Sequence, residues 1–161
     1  MKKILQILLF WFLVIAFSLL PLSLTRFGVD LYMLPQIEIA IAFFLSIYTN
    51  ILPLQLFLYG LLIDIAYGTQ IGVSALILLL INRIIFSFKS NLSKLAMKSI
   101  IFYFAITFSI VMIFKYILFA FSNGTIYHHD LKLIIINLLI NIGFYPILHF
   151  ILMRNKVTTI I

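Results

Sequence analysis

Few side chains in this sequence could do chemistry, and those that could sit in apolar surroundings. Three charged residues, Glu38, Asp64 and Lys115, fall within long runs of Leu, Ile, Phe and Ala. A charge at the centre of a bilayer costs roughly 2.5–3.5 kcal/mol on insertion scales, so each must reach an interface or be shielded. At about 1.5 Å of rise per helical residue, all three fall in the outer half of a membrane. Two arrangements would satisfy them. Lys115 pairs with Asp64 or Glu38 inside a helix bundle, or each side chain snorkels separately to the outer interface.

Asn137 and Asn141 are four residues apart and share a helix face. Facing a bundle, such amides hydrogen-bond across helices, typically for about 0.6 kcal/mol. That spacing reads as inter-helix glue, with a substrate-binding face as the alternative. His128, His129 and Asp130 resemble a fragment of a metal site. Adjacent histidines in a turn diverge, however, and no third and fourth ligand lies nearby in sequence. A wet external loop is the expectation, and no metal site is expected.

The rest of the chemical inventory is short. Cysteine is absent, which removes a disulfide framework, a thiolate metal site and a thiol nucleophile. None of the patterns GxxxxGK[ST], HExxH, GxSxG or GxGxxG occurs. Serines are plentiful, but no base is set beside one. The expectation is no catalytic residue, no cofactor and no enzymatic activity.

The elements that must hold these residues follow from composition. Of 161 residues, 65% are hydrophobic and 9% charged. Soluble domains are nearer half apolar and a quarter charged, and no globular interior of this size hides so much apolar surface. A spanning helix needs about 20 mostly apolar residues. Runs at about 4–24, 35–49, 54–66, 73–88, 99–121 and 131–153 give an all-α membrane protein of about six transmembrane helices. Five is the alternative count, because the third run is short. The first run follows Lys2 and Lys3 like a signal peptide, but it is too long and no A-x-A site follows, so it reads as an uncleaved helix. Residues 1–161 form a single membrane domain.

The net charge of +7 does not form the dense basic face of a nucleic-acid binder. The cations lie between apolar runs and set orientation. With six spans, Lys2, Lys3, Arg83, Lys89, Lys94, Lys98, Arg154 and Lys156 fall on one side, and Arg26 and Lys132 on the other. The positive-inside rule then places both termini in the cytoplasm. With five spans the bias shrinks. Tyr32, Tyr103 and Tyr127 lie near span ends and suit an interfacial belt.

The most specific stretch joins the third and fourth runs. Gly60, Asp64, Gly68 and Gly72 read G-x3-D-x3-G-x3-G, followed by Ala75 and Leu76. While the backbone stays helical, Gly60, Asp64 and Gly68 follow one face. Small residues let two helices approach closely, which would shield Asp64 from lipid. Gly68 and Gly72 suit a sharp reversal, so the two runs make a tight hairpin that could be re-entrant.

This pattern resembles the rod shape-determining MreD family. Pro35 opens the second span after a short outer loop. A basic inner loop follows the glycine–aspartate core, and Pro146 falls in the last span after Asn137 and Asn141. The resemblance runs from about Pro35 to Arg154; a glutamate at position 38 is not demanded by the pattern. It implies an architecture similar to the six-helix substrate-binding subunits of energy-coupling-factor transporters, in the bacterial inner membrane. It also implies a non-catalytic role in cell elongation and lateral peptidoglycan synthesis. The implied partner is an MreC-like bitopic protein, near MreB, RodA and a class B penicillin-binding protein. The face bearing Gly60, Asp64, Gly68 and Gly72 would then pack helices and bind that partner. The alternative is the substrate-binding membrane component of a vitamin-type transporter, suggested by the intramembrane charges and the hairpin.

Overall fold

Proline, glycine and asparagine divide the apolar runs into helices, and among the described residues every regular element is a helix. The structure is a computed structural model that describes residues 11–12, 14–16, 18–23, 34–123 and 131–154. The elements are α1 (Val14–Ser23), α2 (Ile37–Tyr48), α3 (Pro53–Tyr67), α4 (Val73–Phe86), the single turn α5 (Lys89–Leu92), α6 (Met97–Asn123) and α7 (Leu131–Arg154). Residues 4–10 of the expected first span, Lys2, Lys3, Arg26, Tyr32, Tyr127, His128, His129, Asp130 and Lys156 lie outside the described residues.

Helix α2 is the axis of the bundle. Its sequence, IEIAIAFFLSIY, is apolar all round, and ten of its twelve residues are buried; such a helix belongs in a core. Only Glu38 and Tyr48 keep surface. Helices α4, α6 and α7 surround it, α5 packs near it, and α3 lies on α4. Aromatic rings lock the centre. Tyr145 of α7 stacks on Phe104 of α6 at 4.2 Å between centroids, and Phe43 of α2 meets both edge-on at 5.2 and 5.4 Å. Pairs of this geometry add about 0.5–1.5 kcal/mol each beyond burial. Helix α1 joins α3 through hydroxyls: Ser18 Oγ bonds Tyr59 Oη, and Tyr67 Oη donates to the Ser18 carbonyl at 2.8 Å.

The outward faces are apolar too. Leu54, Leu58, Leu62 and Ile65 on α3, Phe102, Ile106, Ile110 and Ile113 on α6, and the pairs Ile135/Leu139 and Ile147/Ile151 on α7 are exposed at three- and four-residue spacings. Stripes of that extent are foreign to a monomer in water. Among the described residues, two helices are long and apolar enough to cross a membrane, with mean hydropathy 2.0 over Met97–Lys115 and 1.9 over Ile135–Arg154.

Among the described residues, α2, α3 and α4 are shorter than a straight crossing needs. With 12, 15 and 14 residues, α2, α3 and α4 extend only about 18–22 Å, against a hydrocarbon core of about 30 Å. Pro35, Pro53, Gly68 and Gly72 cut them short. The C-terminal end of α2 meets α5 where Lys89 Nζ donates to the Thr49 carbonyl and to Asn50 Oδ1 at 3.1 Å.

Candidate functional site: a glycine–aspartate hairpin

The hairpin of α3 and α4 is built around one carboxylate. Helix α3 ends on Gly68, whose φ of 63° is left-handed. Thr69 N–H donates to the Asp64 carbonyl at 3.0 Å and Gly68 N–H to the Ile65 carbonyl at 3.3 Å. This pair of bonds is the Schellman closure, which favours glycine because a side chain resists positive φ. Four residues on, Gly72 opens α4 with φ 99°, again a conformation L side chains rarely adopt. A side chain on Gly68 or Gly72 would meet nothing within 4 Å. Dihedral angle, not crowding, demands glycine at both.

Gly60 is glycine for the opposite reason. A Cβ there would lie 2.3 Å from Ala75 Cα and 2.5 Å from Ala75 N, so α3 and α4 touch backbone to backbone at this point. The small-residue face expected on α3 therefore exists, and at Gly60 it is occupied by α4 of the same chain.

Asp64 is fully buried and turned back onto the start of α4. Its Oδ2 accepts Gly72 N–H at 2.7 Å. Its Oδ1 accepts Ser74 N–H at 3.0 Å and the Thr69 hydroxyl at 3.0 Å. The first N–H groups of a helix lack intrahelical partners and carry the positive end of its dipole. The carboxylate supplies both the acceptors and the complementary charge. This explains a fully buried aspartate without a lysine, and Lys115 is not among its hydrogen-bond partners.

Glu38 is the carboxylate on which the charge of Lys115 acts. It lies in the first turn of α2, where a negative side chain suits the helix dipole. Both Glu38 and Lys115 keep part of their surface accessible, whereas α2 one turn further on is sealed, with Ile41 and Ala42 at 1% and 0% exposure.

Asn137 and Asn141 are buried and bonded to each other. Asn141 Nδ2 donates to the Asn137 carbonyl at 2.8 Å and to Asn137 Oδ1 at 3.1 Å. Asn141 Oδ1 accepts Gln36 N–H at 2.8 Å. The pair therefore caps α2 from the side. Because Asn141 stands ten residues into α7, about 15 Å along it, α2 begins inside the bundle. Its N-terminal donors need protein acceptors there, and Asn141 provides one.

Three residues with no place in the sequence reading take part: Ser18, Tyr59 and Tyr67 tie α1 to α3. Their signal was a hydroxyl on an otherwise apolar helix beside each of Gly60 and Gly68. Among the described residues no group of three metal-ligating side chains converges, and Tyr103 is exposed as an interfacial residue would be. No protein-family model, curated protein or solved structure matches the chain.

Proposed function

We propose that this chain is a non-catalytic, multi-pass subunit of the bacterial inner membrane that serves the cell-elongation machinery by binding an MreC-like bitopic partner. The observation that carries the reading is the hairpin. Each element of G-x3-D-x3-G-x3-G has its own backbone requirement: close approach at Gly60, helix capping by Asp64, and positive φ at Gly68 and Gly72. The pattern resembles that of MreD-like proteins, and this resemblance is what supports the reading. In this reading the chain crosses the bilayer six times with both termini cytoplasmic. The short α2 packs against the long α6 and α7, α4 packs against α2 and α6, and α3 lies on α4. The apolar outer faces offer a partner's transmembrane helix a packing surface, while Gly60 serves the hairpin itself. MreB, RodA and a class B penicillin-binding protein complete the assembly.

The test is co-isolation. The tagged chain, extracted from membranes in mild detergent, is expected to bring an MreC-like protein with it. Recovery of the folded chain alone, when an MreC-like protein is present in the same membranes, would contradict the reading.

One observation favours a second reading, the substrate-binding component of a vitamin-type transporter. Glu38 and Lys115 carry opposite charges that interact within an apolar bundle, and intramembrane charges of this kind mark solute paths in transporters. A vitamin that raises the melting temperature of the purified chain in a concentration-dependent way would favour this reading over the first.

A further inference from the structure

A different part of the chain carries a second kind of recognition. Between Asp64 and Asp130 the sequence contains no carboxylate. Within that stretch, Arg83, Lys94 and Lys98 are exposed, so no acidic neighbour along the segment neutralises them. Large apolar side chains stand among them: Phe86 is 68% exposed, Phe88 50% and Leu95 37%.

This loop is held in place. Leu92 of α5 is buried in the core at 1% exposure. Lys89 is turned inward, donating to the Thr49 carbonyl and Asn50 Oδ1. Phe88 N–H donates to the Ile85 carbonyl at 2.9 Å and Leu92 N–H to the Phe88 carbonyl at 2.9 Å, which continues the chain from α4 into α5 without a slack linker. Leu92 and Lys89 thus dock the segment, and its exposed residues include cations interleaved along the chain with aromatic and aliphatic groups.

We infer that the segment 83–98 is an interfacial platform that binds anionic phospholipid headgroups. Arg83, Lys94 and Lys98 take the phosphates, while Phe86, Phe88 and Leu95 enter the boundary between headgroups and acyl chains. The interleaving selects lipid over an acidic protein surface. An acidic protein would leave two phenylalanines in water, whereas the membrane interface receives an apolar side chain and a cation at adjacent positions. A fixed platform loses less conformational freedom on binding than a free loop.

The inference needs the chain to reside in a membrane and is independent of any protein partner. The test is native mass spectrometry of the purified full chain, titrated with phosphatidylglycerol or phosphatidylcholine of the same acyl composition. The wild type is expected to retain phosphatidylglycerol preferentially. The exposed triple variant Arg83→Gln/Lys94→Gln/Lys98→Gln should lose that preference by about tenfold or more with an unchanged melting temperature. Phe86→Ser/Phe88→Ser should weaken retention of both lipids. Equal retention of the two lipids by the wild type would overturn the inference, as would an undiminished preference in the triple variant. Loss of a co-isolated protein from the triple variant, with no lipid preference in the wild type, would assign the platform to an acidic protein instead. An intact lipid preference with no MreC-like partner would sink only the proposed function.

Discussion

The Asp64 carboxylate accepts the backbone N–H of Gly72 at 2.7 Å, eight residues further along the chain. Most helix caps are local, with a side chain bonding two or three residues on. Here the cap is thrown across a turn from the end of one helix to the start of the next, so Asp64 holds α3 and α4 together while neutralising the end of α4.

Removing that carboxylate leaves half-buried donors at Gly72 and Ser74 without their acceptors. Asp64→Ala is expected to destabilise the chain by about 3 kcal/mol, and Asp64→Asn, which keeps one acceptor oxygen, by roughly half as much. Denaturant unfolding of the purified variants in detergent measures both. Equal stability of wild type and Asp64→Ala would contradict the capping role.

Two glycine substitutions should behave in opposite ways. Gly60→Ala puts a methyl group 2.3 Å from Ala75 Cα, a backbone atom that cannot rotate aside, and should cost at least about 2 kcal/mol. Gly143→Ala, where nothing lies within 4 Å of the added carbon, should change stability by no more than about 1 kcal/mol, toward greater stability. The same unfolding assay separates them.

At Gly68 the cost is conformational. Gly68→Ala should destabilise by about 1–2 kcal/mol, and Gly68→Asn by less, because asparagine tolerates the left-handed region. A side chain that clashed would instead make the larger asparagine the worse of the two, so the order of the two melting temperatures decides.

The electrostatics make a pairwise prediction. A double-mutant cycle between Glu38→Gln and Lys115→Met should show coupling of at least about 0.5 kcal/mol, and one between Asp64→Asn and Lys115→Met coupling within about 0.3 kcal/mol of zero. Coupling to Asp64 and none to Glu38 would reverse the assignment.

Much of this arrangement was legible in the sequence. The runs at 54–66 and 131–153 became Pro53–Tyr67 and Leu131–Arg154, because proline and the change from apolar to polar residues mark helix ends. The hairpin and its two turn glycines follow from spacing alone. What Asp64 bonds to does not, since a periodicity argument reaches three or four residues and these acceptors serve donors eight and ten residues away. The partner of Gln36, 105 residues distant at Asn141, is set by tertiary packing. The expectation of a lysine for Asp64 overlooked that a helix N-terminus can compensate a buried carboxylate. That the twelve residues of α2 form a buried axis is likewise a matter of packing, since its run reads like the others in composition.

The account stands on lipid covering the outward stripes. The chain has no cysteine, so single cysteines at Leu58, Ile106 and Leu139, all exposed, can carry a spin label without background. In bilayers, the three sites should relax strongly with oxygen and weakly with a water-soluble nickel chelate, while a label at Lys94 shows the reverse. Chelate access at Leu58, Ile106 and Leu139 equal to that at Lys94 would mean that water surrounds the bundle, and would contradict the account.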